Sequence, residues 1–298
     1  MTATLQNRRA VPAARSFARP RRDTSPLSRA VVMVLLAAST IYFLFPLWWL
    51  IVSATKPFGQ QFSGNGLWFD GFGLFDNIAR LSAQNDGIFW QWMLNSLLYC
   101  GVGALVGTVL SAMGGYALAK YEFRGRGALF GVILAAVLVP KILFTLPLYL
   151  MFSGVGLINN PLAVLLPSIV SPFGVYLARV FAAQSVPDEV IEAGRLDGAS
   201  EFRIFRSIST KMMMPALVTI FLFQFVDIWN NYLLPAMVLG DDHMQPVTVG
   251  LVGWNASHVA VPPPLVVIGS LVSVIPLIVA FLALQRFWRA GMTAGAVK

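Results

Sequence analysis

The chain has 298 residues, 57% of them hydrophobic and only 11% charged. Soluble domains carry about 25% charged residues, and an ionised side chain at bilayer depth costs about 3 kcal/mol, so the deficit excludes an ordinary soluble enzyme and indicates an integral membrane protein. The net charge of +8 does not imply nucleic acid, because the basic residues are placed as membrane topology requires.

Residues 1–29 come first and read as a basic, disordered cytoplasmic tail. They hold Arg8, Arg9, Arg15, Arg19, Arg21, Arg22 and Arg29 among Ala and Pro, without apolar periodicity. Anionic lipid headgroups are their expected partner, and nucleic acid is not. One membrane domain is expected over 30–289, with a short cytoplasmic tail over 290–298. Six apolar runs reach the ~20 residues that a bilayer requires: 30–54, 90–119, 128–152, 162–183, 213–239 and 264–287. The first is too long for the apolar part of a cleaved signal peptide.

Orientation follows from lysine and arginine placement, because cytoplasmic connections are enriched in both. Of the 21 such residues, all but Lys56, Arg80 and Lys141 lie in the two tails, the second-to-third connection or the segment around 179–211. Both termini and that segment are therefore expected in the cytoplasm. Residues 55–88 and 240–263 then form the external connections. They are rich in Gly, Asn, Asp and aromatics and hold both histidines, His243 and His258, without metal-ligand spacing. The single Cys100 cannot form an intramolecular disulfide and is expected to pack as a small hydrophobe.

Gly103, Gly107, Ser111, Gly114 and Gly115 make one face of the second span small, which permits close approach of a helix from this chain or another. Pro140, Pro147, Pro167, Pro172, Pro235 and Pro276 interrupt the apolar runs. Each removes a backbone bond that protein or a water-filled path must replace. Lys141 and Asp227 fall at membrane depth, where charges either pair structurally or face a cargo path. Around Asp227 lie Gln224, Trp229, Asn230, Asn231 and Tyr232. Rings and amides of this kind suit a polyhydroxylated ligand, though they equally suit an aromatic belt at the membrane surface.

Between the fourth and fifth spans lies a charged island, 185–212, with Asp188, Glu189, Glu192, Asp197 and Glu201 among arginines. Ser185 with Pro187 opens one short helix, Gly198 supplies the bend, and Ser200 caps a second. Phe202, Phe205, Ile208 and Met212 recur at helical spacing on the second, offering an apolar face to a partner or to the protein's own spans. No phosphate-cradling Gly-x-x-x-x-Gly-Lys-Ser/Thr occurs, nor Gly-x-Ser-x-Gly, His-Glu-x-x-His or Cys-x-x-Cys. The chain is expected to be no enzyme, and any ATP that drives it is hydrolysed elsewhere.

The string Glu192-Ala-Gly-Arg-Leu-Asp-Gly-Ala-Ser200 resembles the EAA loop of bacterial ABC importer permeases in its carbohydrate form. Leu146-Pro-Leu-Tyr-Leu150, Gly156-Leu-Ile-Asn159, Ser171-Pro-Phe-Gly174, Trp229-Asn230 and Gly291-Met-Thr-Ala-Gly-Ala-Val-Lys298 extend the resemblance along nearly the whole chain. It is similar to the second permease of maltose-type systems. Departures are Thr210-Lys211 where relatives carry Leu-Pro, and Asn231 in place of a common aspartate, with Asp227 one turn earlier.

The resemblance implies an all-α, polytopic subunit of the bacterial inner membrane with six spans and a cytoplasmic EAA coupling loop. Its implied partners are a second homologous permease, two ATPase subunits carrying ATP and Mg, and an extracytoplasmic solute-binding protein. ATPase contacts carried over by position are Glu192, Ala193, Gly194, Asp197 and Gly198, with Thr293 and Lys298 as secondary candidates. Lys141, Gln224, Asp227, Trp229, Asn230, Asn231 and Tyr232 are the candidate cargo path. The expected cargo is a sugar or oligosaccharide. Glycerol phosphate or another polyol derivative is the alternative, and an ion-coupled secondary transporter is the rival of a different class.

Overall fold

The computed structural model describes residues 26–257 and 261–294, with side chains described as far as Phe287. The arginines of the N-terminal tail before residue 26, His258, Arg289, the side chain of Thr293 and Lys298 lie outside the described residues.

The described residues form helices and no strand. In chain order the helices are α1 (Pro26–Thr55), α2 (Leu74–Ala83), α3 (Ile88–Lys120), α4 (Arg126–Leu138), α5 (Lys141–Gly154), α6 (Leu162–Ser168) and α7 (Pro172–Ser185). They continue with α8 (Asp188–Leu196), α9 (Glu201–Met212), α10 (Met214–Trp229), α11 (Leu233–Val238), α12 (Val247–Ala256) and α13 (Pro263–Ala294). Four stretches are long and apolar enough to cross a membrane as single spans, and the number reaches six if the bent pairs α4–α5 (97°) and α9–α10 (81°) each count as one. The chain divides into two units at Trp48/Trp49. The first holds the greater part of α1, a bare apolar helix whose hydropathy over its best window is 2.3.

Two expected spans are broken. The run 128–152 becomes α4 and α5, bent by 97° about Val139 and Pro140. Proline lacks the N–H that would continue the ladder, and its ring clashes with the preceding turn. The run 213–239 stops at Trp229, where the Asn230 side chain turns back and donates to the Val226 carbonyl (2.8 Å). Asparagine offers the backbone this alternative bond and so ends helices. The chain resumes in α11. The fourth run, in contrast, holds as one 24-residue span across α6 and α7, with Ser171 accepting from the Gly174 amide (3.1 Å) and Pro172 at the first turn.

The expected loop regions are themselves folded. Lys56 is fully buried, its ammonium donating to the carbonyls of Ser63 (3.1 Å) and Asn65 (2.9 Å). Asn77 on α2 donates to the carbonyls of Ala54 and Lys56, fastening α2 beneath that loop. Further on, α12 closes over α3: Trp254 packs edge-on against Trp92 at 4.8 Å between centroids. Gly250 is required there, since a Cβ would lie 2.2 Å from the Trp92 ring.

The glycine face of α3 packs within this chain. A Cβ on Gly115 would sit 2.4 Å from that of Ala178 on α7, and one on Gly103 would sit 2.8 Å from Ile228 on α10. Absent side chains let the backbones approach, which is how helices associate where water supplies no driving force. One apolar cluster joins α2, α3, α10, α12 and α13 through Phe89, Trp92, Phe225, Trp254 and Ile268. A second joins the far end of α3 to α7, α8, α9 and α10 through Tyr116, Ala178, Ile191, Ile204 and Leu217. Cys100 is buried in the first cluster and unbonded to any other cysteine.

Candidate functional site: the charged segment and the membrane-depth polar cluster

Segment 185–212 folds as two short helices held as one body. Asp188 and Glu189 occupy the first turn of α8 and Arg195 its last, in accord with the helix dipole. The helix ends in a Schellman turn: the Ala199 amide donates to the Gly194 carbonyl and the Gly198 amide to the Arg195 carbonyl, both at 3.0 Å. Gly198 adopts φ of +76°, a left-handed conformation that costs an L-residue about 1–2 kcal/mol. Ser200 then caps α9 by accepting from the Arg203 amide (3.4 Å).

Packing divides the motif into an inner and an outer set. Glu192, Ala193, Asp197 and Gly198 are exposed. Gly194 faces inward, where a Cβ would meet Ile204 at 3.1 Å, so its smallness serves the seating of α8 on α9. The apolar face of α9 differs from the one its spacing predicts. Residues 205–209 form a π-turn, and this extra residue in the turn rotates the register. Ile204 is buried and Phe205 packs on Tyr116 at 5.1 Å between centroids, whereas Phe202 is left 64% exposed. Leu196, 89% exposed, joins Phe202 on the outer surface. Leu196 went unnoticed in the sequence; an apolar residue one turn past Glu192 on a charged helix was its available signal.

Four polar contacts fasten the segment. Lys120 pairs with Asp188 (2.7 Å), and Arg195 pairs with Glu201 (2.6 Å). The Tyr121 hydroxyl donates to the other Glu201 oxygen (2.7 Å), to which Arg195 Nη2 also donates (3.3 Å). Hydrogen bonds from Arg195 and Tyr121 hold the Glu201 carboxyl below the usual range. Burial, then the bond to Glu201, pushes the Tyr121 phenol up to about 12.

The second cluster lies at membrane depth. Lys141, at the α4–α5 break, forms an exposed ion pair with Asp227 of α10. Asp227, Asn230, Val226 and Phe223 lie on one exposed face of α10, and Tyr232 beyond it is also exposed. Gln224 and Trp229 are placed elsewhere. Gln224 is buried and donates to the carbonyls of Ser168 (2.8 Å) and Gly103 (3.4 Å). Trp229 is buried and stacked on Phe225, and the Asn231 carbonyl accepts from Thr248 Oγ1 (3.4 Å). The predicted path residues thus separate into an exposed set at 141, 227, 230 and 232 and a set that holds α10 in place.

An all-helical membrane bundle with a rigid charged segment between spans has the architecture of a transport subunit. Residues 103–293 match the family model for the binding-protein-dependent transport system inner membrane component, and the chain belongs to that family. It is 32% identical over 281 residues to the arabinooligosaccharides transport system permease protein AraQ of Halalkalibacterium halodurans, covering 93% of this chain and 99% of that one. It is likewise 32% identical over 257 residues to the lactose transport system permease protein LacG of Rhizobium radiobacter, covering 86% and 91%. In fold it is similar to a chain of a bacterial ABC transporter involved in import of the acidic polysaccharide alginate, with TM-score 0.76 and 22% identity, covering 89% of this chain and 99% of that one. The protein is therefore a multi-pass cell-membrane permease subunit of an ABC importer, working with a solute-binding protein and with an ATPase that carries out hydrolysis.

Proposed function

We propose that the chain forms half of the translocation path for a neutral sugar or oligosaccharide, alongside a second homologous permease, two ATPase subunits and an extracytoplasmic solute-binding protein. The observation that carries the coupling half of this reading is the outer surface of α8 and α9. Glu192, Ala193, Asp197 and Gly198, with Leu196 and Phe202, present charge and exposed apolar side chains on a body fixed by its own bonds. Desolvated apolar anchors ringed by charge are what a protein partner's cleft takes up. The asymmetry of lysine and arginine puts this surface and both termini in the cytoplasm, where an ATPase would engage it. ATP-driven closure of the ATPases would then rock the spans between two access states.

Similarity to arabinooligosaccharide and lactose permeases supports a saccharide cargo. Pairing of Lys141 with Asp227 weighs against a phosphorylated polyol, because the lysine charge is already cancelled. Asn230 and Tyr232 beside that pair offer amide and phenol groups to hydroxyls.

The test is Glu192→Ala in the transporter reconstituted with its ATPase and binding protein. Membrane insertion should be normal, while ATPase docking weakens and ATP-driven uptake falls by about tenfold, the scale of one lost charged interface contact. Wild-type uptake in that variant would refute the assignment of the surface.

A further inference from the structure

The helix α3 carries side-chain hydrogen bonds to other parts of the protein at both of its ends. Near its start, four side chains at helical spacing hold the backbone of 242–247. Trp92 donates to the Asp242 carbonyl (2.7 Å), Asn95 to those of His243 (2.8 Å) and Gln245 (2.9 Å), and Tyr99 to that of Met244 (2.8 Å). Ser96 accepts from the Val247 amide (2.8 Å). At its far end, Lys120 and Tyr121 bind the first residue of α8 and the first residue of α9, Asp188 and Glu201. The helix that carries both ends has 33 residues, a rod of roughly 50 Å in all.

Glu201 is where the far-end bonds converge. One oxygen takes Arg195 Nε, and the other takes the Tyr121 hydroxyl and Arg195 Nη2. The carboxylate therefore locks α8 to α9 and ties both to α3. The Lys120–Asp188 bridge is a second tie, its lysine side chain only 7% exposed. Apolar packing of Ile191, Ile204 and Tyr116 holds the same elements together but is non-directional. Hydrogen bonds to a shared carboxylate fix distance and angle, so a push on the outer surface reaches α3 without slack.

We propose that Tyr121 and Glu201 are positioning residues for energy coupling: they convert displacement of the α8–α9 body into displacement of α3, and through α3 of segment 242–247. The proposal rests on the reading of α8–α9 as the ATPase-docking body and deepens it, since both residues are tied into the bonds between α3, α8 and α9, although Glu201 is itself half exposed beside Phe202.

The experiment uses the whole transporter in liposomes, with arabinooligosaccharides and lactose as probes and whichever the binding protein retains as cargo. ATP hydrolysed per cargo imported is measured beside the amount of assembled complex. Tyr121→Phe removes one hydroxyl, and Glu201→Gln removes the charge; both should assemble normally yet spend at least about five times more ATP per cargo, the low end for coupled sites. The swapped pair Arg195→Glu with Glu201→Arg should recover part of the loss. An ATP cost within about twofold of wild type in both single variants overturns the proposal. So does a fall in uptake that merely tracks loss of assembled complex, which is the mark of a structural role. If the unaltered transporter shows no ATP-dependent uptake of any saccharide, the functional reading itself fails and takes the proposal with it. If it transports but Glu192→Ala is harmless, the docking reading fails and the proposal fails with it; if Glu192→Ala impairs uptake while Tyr121→Phe and Glu201→Gln both couple normally, the proposal alone fails.

Discussion

Gly107 of α3 and Gln224 of α10 fit together through the absence of one carbon. A Cβ on Gly107 would lie 1.9 Å from Gln224 Nε2, the atom that donates to the Ser168 and Gly103 carbonyls. The amide thus pins three parts of the bundle: α3, α6 at its C-terminal end, and α10. In an apolar surround, a glutamine that loses these acceptors has no water to replace them.

Gly107→Ala should therefore cost about 1–3 kcal/mol, the usual penalty for overpacking. Gln224→Ala should cost about 1 kcal/mol through the lost interhelical bonds. Because the clash requires the amide, Gly107→Ala combined with Gln224→Ala should cost less than the sum of the two single changes. Thermal unfolding of the detergent-solubilised chain reads all of these. Strict additivity would show that the two side chains do not meet.

Lys141 and Asp227 make the second prediction. Lys141→Met leaves an unpaired carboxylate at membrane depth, and Asp227→Asn leaves an unpaired ammonium. The double variant leaves neither. The single variants should each lower folding yield or stability by about 1–3 kcal/mol, and the double variant should recover most of it. Both members are half or more exposed in the single chain, so the figure belongs toward the lower end. Recovery of stability without recovery of uptake would mark the pair as part of the cargo path. Recovery of both would make it a structural clamp.

The Glu201 network gives a pH dependence. Its carboxyl is held below the usual range by Arg195 and Tyr121, so the unfolded chain binds its proton at higher pH than the folded one does. The stabilisation is fully present above the ordinary glutamate range and is lost as pH falls through the lowered folded value. Thermal stability of wild type minus that of Glu201→Gln should thus be constant from neutral pH down to about 4.5–5. Below that the difference should shrink and then vanish. A difference that grows as pH falls would contradict the network.

Much of this was legible in the sequence. Low charge and six long apolar runs determined a helical membrane protein, and the motif around Glu192 pointed to the permease family, which leaves hydrolysis to a partner. Gly198 and Ser200 located the turns of the charged segment because caps and left-handed turns are chosen by residue type over a few positions, whereas Ser185, expected to open α8, is the last residue of α7, and Pro187 precedes α8 with no side-chain cap. Gly103, Gly107 and Gly115 announced a close helix contact without saying which helix, since smallness permits an approach but names no partner.

Tertiary structure decided everything that depends on residues distant in the chain. Lys141 and Asp227 are 86 positions apart, and only the bend at Pro140 and the packing of α10 bring them into an ion pair. The sequence puts Lys56 in an external connection and no more; only the folded loop buries it and gives its ammonium the carbonyls of Ser63 and Asn65. Gly194 turned inward and Leu196 outward because Ile204, buried on α9 just ahead of the π-turn, claims the inner side of α8. Local chemistry specifies where helices start, stop and cross lipid; which faces meet is settled only by the volumes that must fit together, and those are properties of the folded bundle.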